Sequence, residues 1–144
     1  MTSRVLWIDD EHAQLPELVN ELRRASLDVE CAESVRNGVE KLRSTHFDGV
    51  LLDMILPAGG HRLAEEGDNP PEKPFRGLDV LAEIAGLGED RTRPRVVVLT
   101  IADDSRLAKK LVKWKRSGLV ADVLHKHPSC SLETVAQAMK EAIS

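Results

Sequence analysis

Five short apolar runs, each followed by a stretch of helical periodicity, decide most of what this chain can become. The runs are RVLWI (4–8), LDVECA (27–32), GVLL (49–52), RVVVL (95–99) and ADVLH (121–125). Runs of this length, rich in Val, Ile and Leu, read as strands buried on both faces. LDVECA is the most polar of them and is expected near a sheet edge. Between the runs, apolar residues recur at helical spacing. Leu15, Leu18, Val19, Leu22 and Ala25 share one face of QLPELVNELRRAS, with Pro16 in its first turn, where proline is tolerated. Val35, Val39 and Leu42 form a second such face, and Leu78, Leu81, Ile84 and Ala85 a third. Leu107, Leu111 and Trp114 point inward from a fourth helix that Gly118 stops. Leu132, Val135, Ala136, Met139 and Ile143 line a fifth. Strict alternation of strand and helix predicts an α/β chain with a parallel sheet and helices on both faces.

The chain has 144 residues, the size of one domain, so residues 1–144 are read as a single unit. One segment breaks the rhythm. Residues 58–76, AGGHRLAEEGDNPPEKPFR, are rich in Gly, Pro and mixed charge and show no periodicity, so they are expected to form an irregular insertion. A formal net charge of −4 argues against nucleic acid as the partner. No apolar stretch approaches the roughly 18 residues that span a bilayer. The N-terminus, MTSRVLWIDD, has no signal-peptide core. Two cysteines, Cys31 and Cys130, make no disulfide framework. A reduced, cytoplasmic protein is the expectation. Cys31 reads as a small hydrophobe in its strand, and Trp7 and Trp114 as core or near-core residues.

The chemistry gathers at one end of the sheet. In open parallel sheets, sites form beyond the carboxyl ends of the strands. There the sequence places Asp9, Asp10 and Glu11 after the first strand, Asp53 after the third, Thr100 after the fourth and Lys126 after the fifth. A lone Asp after a strand is ordinarily the first solvated residue of a loop. Several carboxylates on one rim repel one another and raise one another's pKa, so something positive must compensate. Lys126 and a divalent cation are the candidates. Mg²⁺ suits a few carboxylates, retained waters and a phosphate.

In order and in strand position, VLWIDDE, VLLDMILP, VVVLT and LHKHP resemble the motifs of the receiver domain of two-component response regulators. The resemblance covers nearly the whole chain. It implies a flavodoxin-like fold with five parallel strands in the order 2-1-3-4-5. It implies that Asp53 is the phosphoacceptor, taking a phosphoryl group from a histidine kinase or a histidine phosphotransfer protein. By the same resemblance Asp10, Asp53 and the backbone carbonyl of Ile55 would ligate Mg²⁺, and Asp9 would act through a metal-bound water. Thr100 and Lys126 would each contact a phosphoryl oxygen. Such a domain catalyses its own phosphorylation and is not expected to turn over a separate substrate. Because the sequence ends with the fifth helix, it is expected to stand alone. It would signal through another protein that docks on the 104–144 face or on the 58–76 segment.

The chain departs from the receiver pattern at several positions. Lys126-His127-Pro128 stands where the family has a Lys-Pro pair, and Val123, or else Leu124 or Ala121, where it often has an aromatic residue. Ile101 follows Thr100 where a small residue is usual, and nineteen residues separate Pro57 from Gly77. In receivers the side chains two positions after the acceptor and two after the threonine flank the hydrolytic water. Here they are Ile55 and Ala102, neither able to orient a water, which implies a long-lived phosphoform. Surface readings suffice for His12 and His61. The basic set Arg106, Lys109, Lys110, Lys113, Lys115 and Arg116 falls on the outer face of the fourth helix, where solvent or a docking partner would meet it.

Two other functions compete. A receiver-like interaction module with no need of phosphate would account for Ile101, the absent aromatic and the long segment. It gives no reason for clustered acids. An Mg²⁺-dependent phosphatase of the haloacid dehalogenase type would use an Asp-x-Asp after the first strand, where this chain has Asp9-Asp10-Glu11.

Overall fold

A computed structural model describes residues 2–11, 16–57, 75–87, 93–102, 104–126 and 130–144. Ten elements alternate along them: β1 (Ser3–Ile8), α1 (Pro16–Arg24), β2 (Leu27–Ala32), α2 (Val35–Ser44), β3 (Gly49–Leu52), α3 (Gly77–Ala85), β4 (Arg95–Thr100), α4 (Ser105–Arg116), β5 (Val120–His125) and α5 (Leu132–Ile143). The strands make one sheet in the order β2-β1-β3-β4-β5, and every pairing is parallel. The polar β2 is an edge strand, as its composition predicts. The expected insertion lies outside the described residues except for Phe75 and Arg76, as do Leu15, His12, His61, His127 and Pro128.

Side chains of a strand alternate between the two faces of its sheet, and here both faces are covered. Leu6 and Ile8 of β1, Val50 and Leu52 of β3, and Val96 and Val98 of β4 join the core beneath α2, α3 and α4. Val5, Trp7, Leu51, Val97 and Leu99 join the core beneath α1 and α5. This is why the central strands read as unbroken apolar runs rather than as alternating ones.

Local chemistry sets the helix ends. Ser34, Asp104 and Ser131 each cap a helix by accepting backbone N–H bonds from its first turn, to α2, α4 and α5 respectively. Pro16 is the first residue of α1, where its missing N–H costs nothing. Gly118 follows α4 with a φ of 88°, a left-handed conformation that glycine adopts without strain. One expectation needs adjustment. α3 starts one residue earlier than its apolar spacing suggests, at Gly77, and it turns Val80, Leu81 and Ile84 into the core. Leu78 and Ala85 flank that stripe, half-buried. Trp114 packs against the edge of the core and Trp7 is fully buried, near-core and core as expected.

Candidate functional site

Each polar residue singled out at a strand end is at the same rim of the sheet. Asp9 directly follows β1, Asp53 follows β3, Thr100 is the last residue of β4, and Lys126 follows β5. The sheet ladder reaches one step past the strands and fixes their backbones. The Asp9 N–H donates to the Ala32 carbonyl at 2.9 Å, that of Asp53 to Ile8 at 3.0 Å, and that of Lys126 to Thr100 at 2.9 Å. These residues are therefore held as parts of the sheet rather than carried on loops.

Three of their side chains are oriented by one local device. In each, an oxygen accepts the backbone N–H two residues further on: Asp9 from Glu11 at 2.8 Å, Asp53 from Ile55 at 3.2 Å, and Thr100 from Ala102 at 3.2 Å. Asp and Thr favour such turns because their short side chains reach their own backbone. The other carboxylate oxygens of the two acids converge on one ammonium. Lys126 Nζ donates to Asp9 Oδ2 at 2.7 Å and to Asp53 Oδ2 at 3.1 Å. Asp9 and Thr100 have no exposed surface, and Asp53 has 4%. Asp10 stands exposed beside them. One carboxylate oxygen from each of Asp9, Asp10 and Asp53 lies within 4.8 Å of the others.

Two buried acids and one ammonium leave an imbalance. Burial lifts the Asp53 carboxyl above its ordinary range. The charge of Lys126 and the Ile55 N–H oppose that rise, while Asp9 adds to it. Burial also works against the charge of Lys126, but the bond to Asp9 and the negative charge of Asp53 hold the ammonium above its usual pKa. Both shifts are upward, so both linkages have the same sign, and each group's contribution to stability falls as pH rises from its unfolded to its folded pKa. A raised carboxyl makes ionised Asp53 a cost to the fold at every pH above its folded value, whereas the Lys126 ion pairs stabilise the fold until pH climbs through the lysine's folded value. A further positive charge at this rim would relieve the first effect. The three carboxylates fit a hard divalent cation in donor type and in convergence.

The loop after Asp53 is pinned from two helices. The Gly77 N–H donates to the Met54 carbonyl and the Val35 N–H to the Pro57 carbonyl, each at 3.0 Å. A methyl group on Gly77 would overlap the Asp53 carbonyl oxygen and Met54 Cα, so only glycine lets α3 begin here. In the sequence Gly77 marks only the far end of a long segment, and the signal that could have found its role is a glycine at a helix start.

The rim around the site is apolar. Ile55 is 39% exposed and Ile101 is 62% exposed, while Ala102 is buried. Ile101, which stands where a small residue is usual, turns most of its surface to solvent. Val123, at the expected place of an aromatic, is half-buried against the α4 core. It borders a groove of about 280 Å³ between α4 and β5, whose inner end is Thr100. The helix expected to carry a basic outer face does so: all six cations of α4 are exposed.

No family model matches the chain, and no curated protein does. Its fold does match solved structures. A response regulator receiver domain protein (CheY-like) from Methanospirillum hungatei JF-1 superposes with a TM-score of 0.71 at 19% identity, covering 99% of this chain and 94% of that one. A response regulator from Thermotoga maritima gives 0.67 at 22% identity, covering 99% and 98%. A response regulator from Burkholderia pseudomallei, solved with a phosphorylated aspartic acid, calcium ion and citrate, gives 0.66 at 22% identity over 95% of this chain and 66% of that one. The chain thus has the receiver fold that its motifs resemble, at identities that speak for the fold alone.

Proposed function

We propose that this chain is a receiver that accepts a phosphoryl group on Asp53 and acts through a protein partner. The carrying observation is a nearly buried carboxylate at a central strand end, 3.1 Å from an ammonium and clustered with two other acids. A carboxylate so placed is a usable nucleophile, because its backbone is fixed and one oxygen is already oriented by the Ile55 N–H. Asp53 attacks the phosphorus of a phosphohistidine on a kinase or phosphotransfer protein. A phosphorus–oxygen bond forms, the phosphorus–nitrogen bond breaks, and the imidazole leaves with the electron pair. Lys126 balances the charge on the incoming phosphoryl oxygens, and the Thr100 hydroxyl, whose oxygen is already an acceptor, donates to another.

The residues present fit Mg²⁺. Asp10, Asp53 and the Ile55 carbonyl would hold it directly, and Asp9 through a water. When bound it would supply charge neutralisation at the acceptor. In this reading residues 1–144 form one cytoplasmic domain. The described residues contain no helix long and apolar enough to cross a membrane. The phosphatase alternative is weaker on sequence, since the residue two after Asp9 is Glu11, whose N–H is turned onto Asp9, where that chemistry wants a second Asp.

The test is phosphorylation with acetyl phosphate and Mg²⁺, read on a phosphate-affinity gel. Wild-type protein is expected to shift and Asp53→Asn to remain unshifted. A wild type that neither shifts nor binds beryllofluoride would leave the phosphate-independent interaction module as the better reading.

A further inference from the structure

The two edges of the sheet are finished differently. A free edge offers unpaired N–H and C=O groups to any extended chain, so edges are usually blunted by a bulge, a proline, a lysine or a very short strand. The β5 edge is blunted, since its register against β4 slips between Val96 and Val97. The β2 edge is not. Its six residues, LDVECA, pair with β1 without a break from Leu27 to Ala32, and they include neither Pro nor Lys. The Ala32 carbonyl faces β1, where it accepts the Asp9 N–H. Backbone groups alternate sides along a strand, so the N–H and C=O of Val29 and Cys31 face the open side. Among the described residues no strand pairs with them there.

Charge decides what can pair with this edge. Asp28 and Glu33 are exposed and have no ion-pair partner among the described residues. Glu30 between them is already served by Arg4 at 3.2 Å and by Lys41 at 3.7 Å. A second copy of β2, laid antiparallel and centred on Asp28, Val29 or Glu30, would set these acids against one another. Like charges directly opposite destabilise a strand pair. The acids therefore guard the edge against its own kind and favour a strand that carries cations. Beside the edge lies a trough of about 420 Å³, where Glu33, Asn37, Glu40 and Ser44 line the space between the end of β2 and α2. Arg36 takes one oxygen of Glu40 at 3.1 Å, and the Nζ of Lys41 is drawn to Glu30. What the trough offers a guest is mainly oxygen, which suits the head of a long cationic side chain.

From this juxtaposition we propose that the β2 edge takes an added strand from a partner protein, an extended segment carrying Lys or Arg, with one of those side chains entering the trough beside α2. Main-chain hydrogen bonds to Val29 and Cys31 supply the binding, and the charges select the partner. The site is separated from β3 by β1 and needs no phosphoryl group, so it goes beyond the reading of Asp53 as acceptor.

The experiment is selection from a random-peptide display library against the unphosphorylated protein, followed by hydrogen exchange of the protein with a synthesised winner. Winners are expected to alternate Lys or Arg with β-branched residues. With the peptide bound, the amides of Val29 and Cys31 should exchange at least about tenfold more slowly, as newly paired amides do. Methylating alternate backbone nitrogens of the peptide should abolish binding in one phase and spare it in the other, because only one phase faces β2. The double variant Asp28→Lys/Glu33→Lys, at two exposed positions, should weaken binding at least about tenfold, with thermal melting as the check on folding. The methylated peptides need no altered protein, so the test stands should that variant unfold. Acidic winners, no winners, protection confined to residues outside β2, or binding indifferent to the phase of methylation would overturn the proposal.

Discussion

β3 and β5 run in the same direction in one sheet, and each delivers a charged group to the same site, yet their surroundings are opposite. β3 has strands on both sides and helices on both faces, and all four of its residues are buried. β5 is an edge strand in which only Val120 is buried, and its pairing to β4 carries a register shift between Val96 and Val97. Asp53 therefore comes from the least adjustable part of the sheet and Lys126 from the most adjustable. The difference suits the two tasks that the proposed function gives these residues. A nucleophile must be fixed against its target, because positioning is most of what such a site contributes. On the proposed reading, the balancing cation serves two acids in one state and a phosphoryl group in the other, which a looser edge permits.

The contrast breaks first on stability. Leu51→Ala in β3 removes a fully buried side chain and is expected to cost about 2–5 kcal/mol. Leu124→Ala in β5, half-buried, should cost about 1 kcal/mol or less. Urea unfolding midpoints measure both, and equal costs would mean that β5 is as firmly held as β3. The next effect is kinetic and sits just past β3. The Ile55 side chain cannot orient a water, so Ile55→Asn is expected to speed loss of the phosphoryl group by about 10- to 1000-fold, on the scale of one positioned donor. Decay after removal of acetyl phosphate is the measurement, and an unchanged rate would mean that the edge of the sheet controls lifetime instead. The smallest effect belongs to β5. Lys126→Ala removes a charge that competes with a bound cation and is expected to tighten Mg²⁺ binding by no more than about tenfold while phosphorylation falls. Calorimetric titration of the variant beside wild type checks it, and a loss of Mg²⁺ binding would make Lys126 a support of the acids rather than a counter-charge.

The strands were legible because a parallel sheet covered on both faces demands apolar runs, and that demand leaves plain marks such as VVVL and GVLL. Asp9, Asp53, Thr100 and Lys126 were legible for a related reason. A polar residue directly after such a run has one place to be, and strand order then brings these residues together. What escaped is set by packing in three dimensions. The shared turn geometry of Asp9, Asp53 and Thr100 depends on backbone angles beyond the strand ends. The need for glycine at 77 arises from how closely α3 approaches the loop after Asp53. The inward stripe of α3 holds at Leu81 and Ile84, but Val80 rather than Leu78 completes it, since Leu78 stands three residues before Leu81 and Val80 four before Ile84, and both satisfy the helical period almost equally. The groove at Val123 was visible in sequence as a missing aromatic, but not as an open space.

The ion pair between Lys126 and Asp9 joins residues 117 positions apart. A ribosome makes the acids long before it makes the cation, at a pace of about 5–20 residues per second. Through that interval a nascent chain with β1 and β3 in place carries Asp9 and Asp53 with no ammonium between them, and closing the two acids together works against burial. The pocket can settle only after β5 arrives. Completion of the site is thereby tied to completion of the sheet, so that a truncated or stalled product carries Asp53 without a finished site around it.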